Sequence, residues 1–595
     1  MKRAFCVAPA LLLTACGGGG SATSALPAQH GGGSSTPSSV TVTAKITVPA
    51  SGMTSNRALR RIYDTASATQ GILLTVYPAS SPSSDAITVT GADISASSPN
   101  CTANANGRVC TVSFPAPPGN NNALLAQTYT QVIPPSGAVP GSAQALAAGS
   151  VALTIVPSSS VNTVNLTLNP VLASVNLTLV PASLRSLLPA TFGLNVVGLD
   201  ASGSVIVAGQ YVDAAGNPVS ASLLLGSNPN NSVTLSTSTV SVPGTTVTGT
   251  YNGDDDVAGN ASASIAITSL APFAASAALT VHGPTVTAMA SAQPNLAGTP
   301  PPYANALLVN VNGNDPQIWY TGANGGSTCL ANYDVANANG ACATASPGPA
   351  GLSTDGSTYV YAAGATAPFY YQFNPLGFLG QDNSCTTYCA SASGSAYSPT
   401  TNVLYYTDTS GNIAELVNPA GGGNGAQPAA MALSGTPEAV EVQNTEGIDS
   451  VWYLSSNRLL AESGGSGVIA PSPPSGMLDM YVAPTLEYVT VPQSHSIVVF
   501  NDSTLAVSQS YPTAQGAPQY LVGSSDGNSV WFSETTAAGL GIGRIDVVNQ
   551  RLHESQITTG GGIAGGIALN PNSDAIYILE WSGTASAGYI YRVTP

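Results

Sequence analysis

Cysteine has the clearest chemical pattern of any residue type in this sequence. Six of the eight cysteines form three pairs that are close along the chain: Cys101 with Cys110, Cys329 with Cys342, and Cys385 with Cys389. Short loops between paired cysteines favour local disulfides in an oxidising compartment, although six cysteines allow many connectivities. The alternative is a zinc site, since Cys385 and Cys389 have finger-like spacing, but no matching histidine pair accompanies them. We predict three local disulfides.

Histidine and glutamate supply the candidates for acid–base or metal chemistry in the C-terminal half. His495 precedes an apolar run at 497–500 and is a candidate to face a central channel, whereas His553 follows on a predicted outer strand. Glu534 and Glu580 fall at the ends of predicted inner strands, where they could ligate a divalent cation. No Ser/His/Asp arrangement, phosphate loop or nucleotide motif accompanies them. We therefore predict no catalytic residue and no cofactor, with Mg²⁺ or Ca²⁺ as the alternative.

The first twenty residues have the pattern of an export signal. Lys2 and Arg3 precede an apolar stretch at 4–15, which is too short for a membrane-spanning helix of about 20 residues but suits a secretory signal. The stretch ends in Leu-Thr-Ala-Cys16, which resembles the lipobox of bacterial lipoproteins. The resemblance implies cleavage before Cys16, acylation of Cys16 and, because Gly17 rather than Asp follows, delivery to the outer membrane or cell surface.

Charge limits the possible partners. Charged residues make up 7% of the chain and the formal net charge is −16. Such a surface has no basic footprint for nucleic acid and repels anionic lipid headgroups. We exclude nucleic acid as a partner and expect the chain to reach a membrane of the bacterial cell envelope through the lipid on Cys16.

The chain after the leader predicts an all-β protein of several domains. The hydrophobic fraction is 43%, and valine, isoleucine and tyrosine recur in short alternating runs without an amphipathic helix. We predict a signal peptide at 1–15, a flexible Gly/Ser-rich linker at 16–37 and a β-sandwich at 38–168. A second β-sandwich at 169–284 contains turns that resemble those of bacterial immunoglobulin-like surface domains.

Residues 285–595 contain a repeat. A polar turn precedes a short apolar and aromatic strand in seven copies, at 316–320, 356–361, 402–406, 450–453, 496–500, 528–532 and 574–578. The step is mostly 40 to 47 residues, with one of about 32. This period in an all-β chain indicates a β-propeller of six or seven blades. Because the chain ends within a strand, we predict that the segment at 303–311, or just before it, closes the ring.

The sixth copy has a family resemblance. Residues 525–534 read SDGNSVWFSE and are followed by GIGRID at 541–546. This is similar to the blade repeat of the streptogramin (virginiamycin) B lyase family. The copy at 566–580 is similar more loosely, and also resembles NHL and gluconolactonase-type propellers. The lyase resemblance implies magnesium-assisted elimination by a central histidine and glutamates. Where that family has a Gly-Pro-His blade entry, this chain reads Ala-Pro-Gln-Tyr at 517–520 and Gly-Gly-Ile at 565–567.

These observations favour a lipid-anchored envelope protein that displays the propeller as a binding or scaffold head, without catalysis. Its ligand would be a peptide, a glycan or another protein. Two alternatives stay open. One is a metal-dependent propeller enzyme resembling streptogramin B lyase. The other is a structural or adhesion component of the cell surface.

Overall fold

The computed structural model describes residues 39–49, 68–104, 107–157, 162–207, 209–228, 231–253, 261–289, 307–312, 315–324, 327–335, 339–343, 349–355, 359–364, 369–372, 377–381, 391–408, 413–419, 437–445, 448–463, 466–558, 560–582 and 588–595. The predicted leader with Cys16, the linker, and the pair Cys385 and Cys389 lie outside these ranges. Within them there is no α-helix, so the all-β prediction is confirmed. The described residues include no helix that is long and apolar enough to cross a membrane.

Two sheets near the N-terminus enclose one hydrophobic core. Their strands are β1 (Val40–Pro49), β2 (Gly71–Pro78), β3 (Thr88–Asp93), β4 (Cys101–Asn104), β5 (Gly107–Ala116), β6 (Gly119–Tyr129), β7 (Ala145–Ile155), β8 (Thr163–Asn165) and β9 (Asn169–Pro170). The strand orders are β4-β5-β1-β8 and β3-β2-β6-β7-β9. Alternate residues of β1 (Val42, Ala44, Ile46 and Val48) point into the shared core, as the two-residue period of a strand requires. We call this pair the first sandwich.

The first sandwich contains a disulfide. Cys101 and Cys110 lie directly opposite each other on β4 and β5 and are bonded at an S–S distance of 2.00 Å. This pairing confirms the first of the three predicted disulfides. The structure describes only the backbone of Cys329 and Cys342, so that pair, like Cys385 with Cys389, stays a prediction.

A second pair of sheets, the second sandwich, follows. Its strands are β10 (Ser174–Val180), β11 (Ser183–Arg185), β12 (Ala190–Leu199), β13 (Ala221–Leu225), β14 (Val233–Leu235), β15 (Thr239–Val240), β16 (Val247–Tyr251), β17 (Ser262–Ser269) and β18 (Ala275–His282). The orders are β10-β12-β16-β14 and β11-β18-β17-β13-β15. Phe192 from one sheet and Ile265 from the other share one core. Gly249 is a glycine because the Phe192 ring occupies the space its Cβ would need.

The remaining strands form seven antiparallel sheets. The first six are β20 (Leu307–Asn312), β21 (Asp315–Asn324), β22 (Ser327–Asp334) and β23 (Asn339–Ala343); β24 (Pro349–Thr354), β25 (Tyr359–Gly364), β26 (Phe369–Gln372) and β27 (Gly377–Gln381); β28 (Ser391–Ser398), β29 (Val403–Asp408) and β30 (Ile413–Val417); β31 (Pro437–Thr445), β32 (Ile448–Ser455), β33 (Arg458–Ser463) and β34 (Ser466–Ile469); β35 (Met480–Val482), β36 (Leu486–Val491), β37 (Ser496–Asn501) and β38 (Val507–Pro512); β39 (Gly516–Gly523), β40 (Ser529–Thr536), β41 (Gly539–Asp546) and β42 (Arg551–Gln556). The seventh contains β43 (Ile563–Leu569), β44 (Ile576–Trp581), β45 (Tyr589–Thr594) and β19 (Thr285–Ala288). A single 3-10 turn, Pro492–Ser494, joins β36 to β37.

These sheets close into a ring, which is the arrangement of a β-propeller. The first strand of each sheet contacts the first strand of the next, and β43 of the seventh sheet contacts β20 of the first. Closure comes from β19, which pairs with β45 from Thr285 opposite Thr594 to Ala288 opposite Tyr591. The closing strand therefore precedes the predicted segment, and residues 307–311 instead lie in β20 of the first sheet. Within the described residues there are seven sheets, the larger of the two predicted blade numbers.

The repeat marks the second strand of each sheet, with one exception. Trp531 and Phe532 on β40 point to opposite faces, so Trp531 packs toward the seventh sheet and Phe532 toward the fifth. The copy at 496–500 is misplaced, because it lies on β37, the third strand of its sheet. The second strand there is β36, which contains Tyr488. Both strands are apolar and β-branched, and the pattern alone does not separate them.

The second sandwich docks against the ring through the segment after β11. Leu187 is fully buried and shares a hydrophobic cluster with Trp531 and Ile578 of the sixth and seventh sheets. On the same side, Arg185 donates to Thr285 at 2.7 Å, at the start of the closing strand β19. The sandwich therefore supports the ring where its two chain ends meet.

Candidate binding face of the ring

The ring has two unlike faces. On one, the docked face, loops join the first strand to the second and the third to the fourth. Here the Arg544 guanidinium donates to the Leu187 carbonyl at 3.3 Å and to Ser529 Oγ at 2.9 Å, and lies over the Trp531 ring at 5.8 Å. The opposite, open face receives the N-terminal ends of the innermost strands. The docked sandwich thus leaves the open face as the accessible end of the channel.

Bulges shape the innermost strands near the open face. Pairing between the first and second strands shifts register at the start of the innermost strand in five of the described sheets: between Pro349 and Gly351, Ser391 and Ser395, Pro437 and Ala439, Pro518 and Leu521, and Ala564 and Ile567. A bulge bends a strand and redirects the side chain of the extra residue. The residues placed there include Glu438 in the fourth sheet and Gln519 in the sixth. Glu438 and Gln519 therefore depart from the regular side-chain alternation of their strands near the open end of the channel.

Three carboxyl groups gather at this end, between the fourth and fifth sheets. Glu438 and Glu441 lie on β31, and Asp479 immediately precedes β35. Burial and then the charge of Asp479 raise the pKa of Glu438 and of Glu441 to about 8. Burial raises the pKa of Asp479 to about 7, against a hydrogen bond of 2.7 Å from the Leu521 N–H. Near pH 7 the two glutamates therefore hold protons that a bound cation would displace, and Asp479 is partly protonated.

No basic residue accompanies this carboxyl group cluster on the innermost strands. The described first strands of all seven sheets contain no lysine, arginine or histidine, and their charged residues are Glu438 and Glu441. Sequence analysis missed both glutamates. The available signal was the dipeptide Pro437-Glu438, which occupies the bulge matching Pro518-Gln519.

Glu534 lies on β40, the second strand of its sheet rather than an innermost one. It is fully buried, and its side chain covers Gly541 so closely that a Cβ there would lie 2.7 Å from its Cγ. Burial and then the charge of Glu554 raise the pKa of Glu534 well above its ordinary value. Glu554 accepts the backbone N–H groups of Ala514 and Gln515 at 3.0–3.1 Å. These hydrogen bonds to Glu554 hold in place the segment that contains Ala514 and Gln515 and leads into the sixth sheet.

Glu580 has a similar place in the seventh sheet. It lies on β44, the second strand, and accepts a hydrogen bond of 3.0 Å from the Tyr591 hydroxyl. A Cβ on Gly562 would lie 2.2 Å from its Oε1, so the carboxyl group fills the space beside that loop. Burial raises the pKa of Glu580, against hydrogen bonds from Tyr591 and Thr558. Because Thr558 follows the sixth sheet, Glu580 ties two sheets together.

The two histidines of the ring lie in different parts of it. His495 is exposed in the loop between β36 and β37, where its N–H donates to the Pro492 carbonyl. His553 is buried on β42, the outermost strand of the sixth sheet, at a cleft on the docked face. His495 lies in a loop between a second and a third strand, on the side of the open face, whereas His553 lies on the docked face. That His495 faces the central channel stays a prediction. Among the described residues, no group of three His, Cys, Asp or Glu is arranged to hold a metal ion.

The fold thus defines a class: two β-sandwiches followed by a β-propeller. No protein-family model and no curated protein matches the chain. Among solved structures, it is similar to a streptogramin B lyase (13% identity, TM-score 0.41, covering 52% of this chain and 97% of that one) and to an inactive virginiamycin B lyase from Staphylococcus aureus with quinupristin (15%, 0.38, 49% and 94%). It is also similar to U3-55K (8%, 0.41, 52% and 98%). These similarities are too distant to support any argument about function.

Proposed function

We propose that the chain is a bacterial cell-envelope lipoprotein, anchored through Cys16, that displays its propeller as a binding or scaffold head without catalysis. The lipobox-like end of the leader and the acidic, cysteine-paired chain that follows support export and anchoring. The two sandwiches would hold the ring away from the membrane. Delivery to the outer membrane or cell surface belongs to the same proposal.

One observation carries the binding role. At the accessible end of the channel, Glu438, Glu441 and Asp479 form a group of carboxyls between the fourth and fifth sheets. A cationic group, such as a lysine or arginine side chain of a peptide, complements this end. Because it favours ionised carboxyl groups, its binding releases protons, and affinity should rise with pH up to about 8.

The alternative function, a metal-dependent enzyme, would require catalysis at residues other than Glu438, Glu441 and Asp479. Glu534 and Glu580, its candidate ligands, both lie on second strands, where Glu534 packs over Gly541 and Glu580 accepts a hydrogen bond from Tyr591. If the ring were a metal-dependent lyase, the purified chain would linearise quinupristin in the presence of Mg²⁺, and Glu534→Gln would abolish this. Chromatography with mass detection would show the product. We expect none.

The binding proposal is tested by fluorescence anisotropy of the full chain with a labelled tetralysine peptide, from about pH 6 to pH 9 at physiological salt. Binding should strengthen as the pH rises to about 8, by up to about tenfold per pH unit for each proton that it releases. Glu438→Gln with Glu441→Gln should remove the contribution of these two groups to the pH dependence and weaken binding at least tenfold at pH 8.

The matched control is Glu462→Gln with Asp574→Asn, which removes the same formal charge elsewhere on the ring. It should keep affinity within about twofold, because half-buried Glu462 and exposed Asp574 both lie toward the docked face, and charges more distant than about 8 Å are largely screened at physiological salt. Equal weakening by both double variants would mean that the peptide binds the acidic surface in general, and would overturn the proposal. So would affinity that does not change with pH in the wild type.

A further inference from the structure

A cleft of about 470 Å³ separates the second sandwich from the sixth sheet. One wall is the β14–β16 edge of the sandwich, where Thr234 and Thr250 are cross-strand neighbours and both exposed. The other wall is the outer strand β42 and the turn before it. Ligand pockets are typically about 300–1,000 Å³, so this volume suits a small molecule.

Almost every residue that lines the cleft can contribute a hydrogen-bonding group. All of its lining residues except Pro189 have a polar side chain. The sandwich contributes hydroxyl and amide groups, among them those of Thr250 and Asn252. The ring contributes the carboxyl group of Asp546, the amide of Asn549 and the guanidinium of Arg551. This set can both donate to and accept from a ligand that carries many hydroxyl groups.

The walls are held in place before any ligand binds. Leu187, buried in the ring, and Arg544, which donates to its carbonyl, join the two walls directly below the cleft. Burial opposes ionisation of Asp546, but hydrogen bonds from Asn549 at 2.9 and 3.1 Å and the charge of Arg544 hold its pKa below the ordinary value. Asp546 is therefore a fixed, ionised acceptor. A prearranged site loses little free energy on binding.

Charge and shape narrow the ligand class. Asp546 and Arg551 carry opposite formal charges, so the lining favours a neutral ligand over a strongly charged one. The two rings at the cleft, Tyr251 and His553, are 0% and 2% exposed. They offer no aromatic platform of the kind on which a nucleobase stacks.

We propose that this cleft is a binding site for a neutral saccharide of one or two rings. The vicinal hydroxyl groups of a sugar would pair with the fixed carboxylate, amide and guanidinium groups of the ring wall and with the hydroxyl groups of the sandwich wall. The site is distinct from the open face, and it does not depend on the binding role proposed there.

Calorimetric titration of the full chain with glucose, maltose, lactose, N-acetylglucosamine and chitobiose tests the proposal, with glucuronate and glucosamine as charged counterparts. At least one neutral sugar should bind with a dissociation constant of about 1 mM or below. Thr250→Trp should abolish binding by filling the cleft. Thr248→Trp, two residues along the same strand and also exposed, lies outside the lining and should bind normally.

Arg551→Ala should weaken binding about tenfold, the effect of losing one hydrogen bond to a charged group. Arg592→Ala, exposed on β45, is the matched control and should change it less than twofold. The proposal would be overturned if none of the neutral sugars bound at a concentration about tenfold above the expected dissociation constant of about 1 mM. Binding of glucuronate or glucosamine alone, or binding that Thr250→Trp leaves intact, would also overturn it. Glu438→Gln with Glu441→Gln should leave sugar binding unchanged, which separates this site from the open face.

Discussion

Glu487 contributes a part of the pH dependence of the ring's stability that one substitution can remove. It lies on β36, is 0% exposed, and faces the fourth sheet near Trp452. Among the described residues neither carboxyl oxygen of Glu487, nor the Trp452 indole nitrogen, has a hydrogen-bond partner of normal geometry. Burial raises the pKa of Glu487 from 4.5 to about 8, with a smaller increase from Asp502 and a small decrease from Trp452.

The sign follows from proton binding. Between these two pKa values the folded chain keeps a proton that the unfolded chain releases. The stabilisation is complete below pH 4.5 and is lost as the pH rises through 8. One proton corresponds to 1.36 kcal/mol per pH unit, so wild type should lose about 4 kcal/mol from this group between about pH 5 and pH 9. Glu487→Gln, which cannot ionise, should not show this loss.

The assay is equilibrium unfolding in urea, followed by tryptophan fluorescence at about pH 5, 7 and 9. All four tryptophans lie in the ring and are at most 5% exposed, so the signal reports on the ring. The amide of Glu487→Gln is buried and lowers the free energy of unfolding at every pH. The quantity to compare between variants is therefore the slope of that free energy against pH. Asp574→Asn, at an exposed turn, should keep the wild-type slope. If Glu487→Gln also keeps it, the argument from burial is refuted.

Three further predictions concern packing. Leu187→Ala should destabilise the ring by about 3 kcal/mol in the same assay, because it opens a cavity beside Trp531. The control Val548→Ala, at a residue that is 71% exposed, should destabilise it by less than about 0.5 kcal/mol. Equal effects of the two variants would contradict the docking of Leu187 into the ring. Gly543→Ala should lower the free energy of unfolding by about 1–3 kcal/mol, because the added Cβ would lie 1.9 Å from the Phe532 ring. The control is Gly560→Ala, whose Cβ would have no other atom within 4 Å. A Gly543→Ala variant as stable as wild type would be inconsistent with this packing. Cys110→Ser should lower the stability of the first sandwich by about 2–4 kcal/mol, measured by hydrogen exchange of the β5 amides. Unchanged exchange would contradict a stabilising role of this disulfide. Free thiols at Cys329, Cys342, Cys385 or Cys389 in mass spectrometry would disprove the two remaining predicted disulfides.

The sequence predicted the ring because its repeat follows from packing. Each second strand must offer an aromatic or branched residue to both neighbouring sheets, as Trp531 and Phe532 do, and this leaves a pattern with a period. The innermost strands leave a weaker pattern in the sequence. They are rich in glycine, alanine and serine and bulged, and so Glu438 and Glu441 passed unnoticed.

Other features depend on contacts between distant parts of the chain. Nothing near Leu187 in the sequence indicates that it enters a cluster formed by residues more than 300 positions later. The closing strand β19 is four residues long and lacks the aromatic signature of the repeat. The cleft beside β42 is assembled from the second sandwich and the ring, two distant parts of the sequence, and its lining residues have no common motif.

The proposed function is tested most directly at the mature amino terminus. Mass spectrometry of the full chain, recovered from bacterial membranes, should identify Cys16 as the first residue, carrying a diacylglyceryl thioether and an acylated amino group. Cys16→Ser should release the chain from the membrane fraction. An unmodified Cys16, or a mature chain that begins at another residue and stays soluble, would contradict the account of this protein as an anchored, displayed propeller.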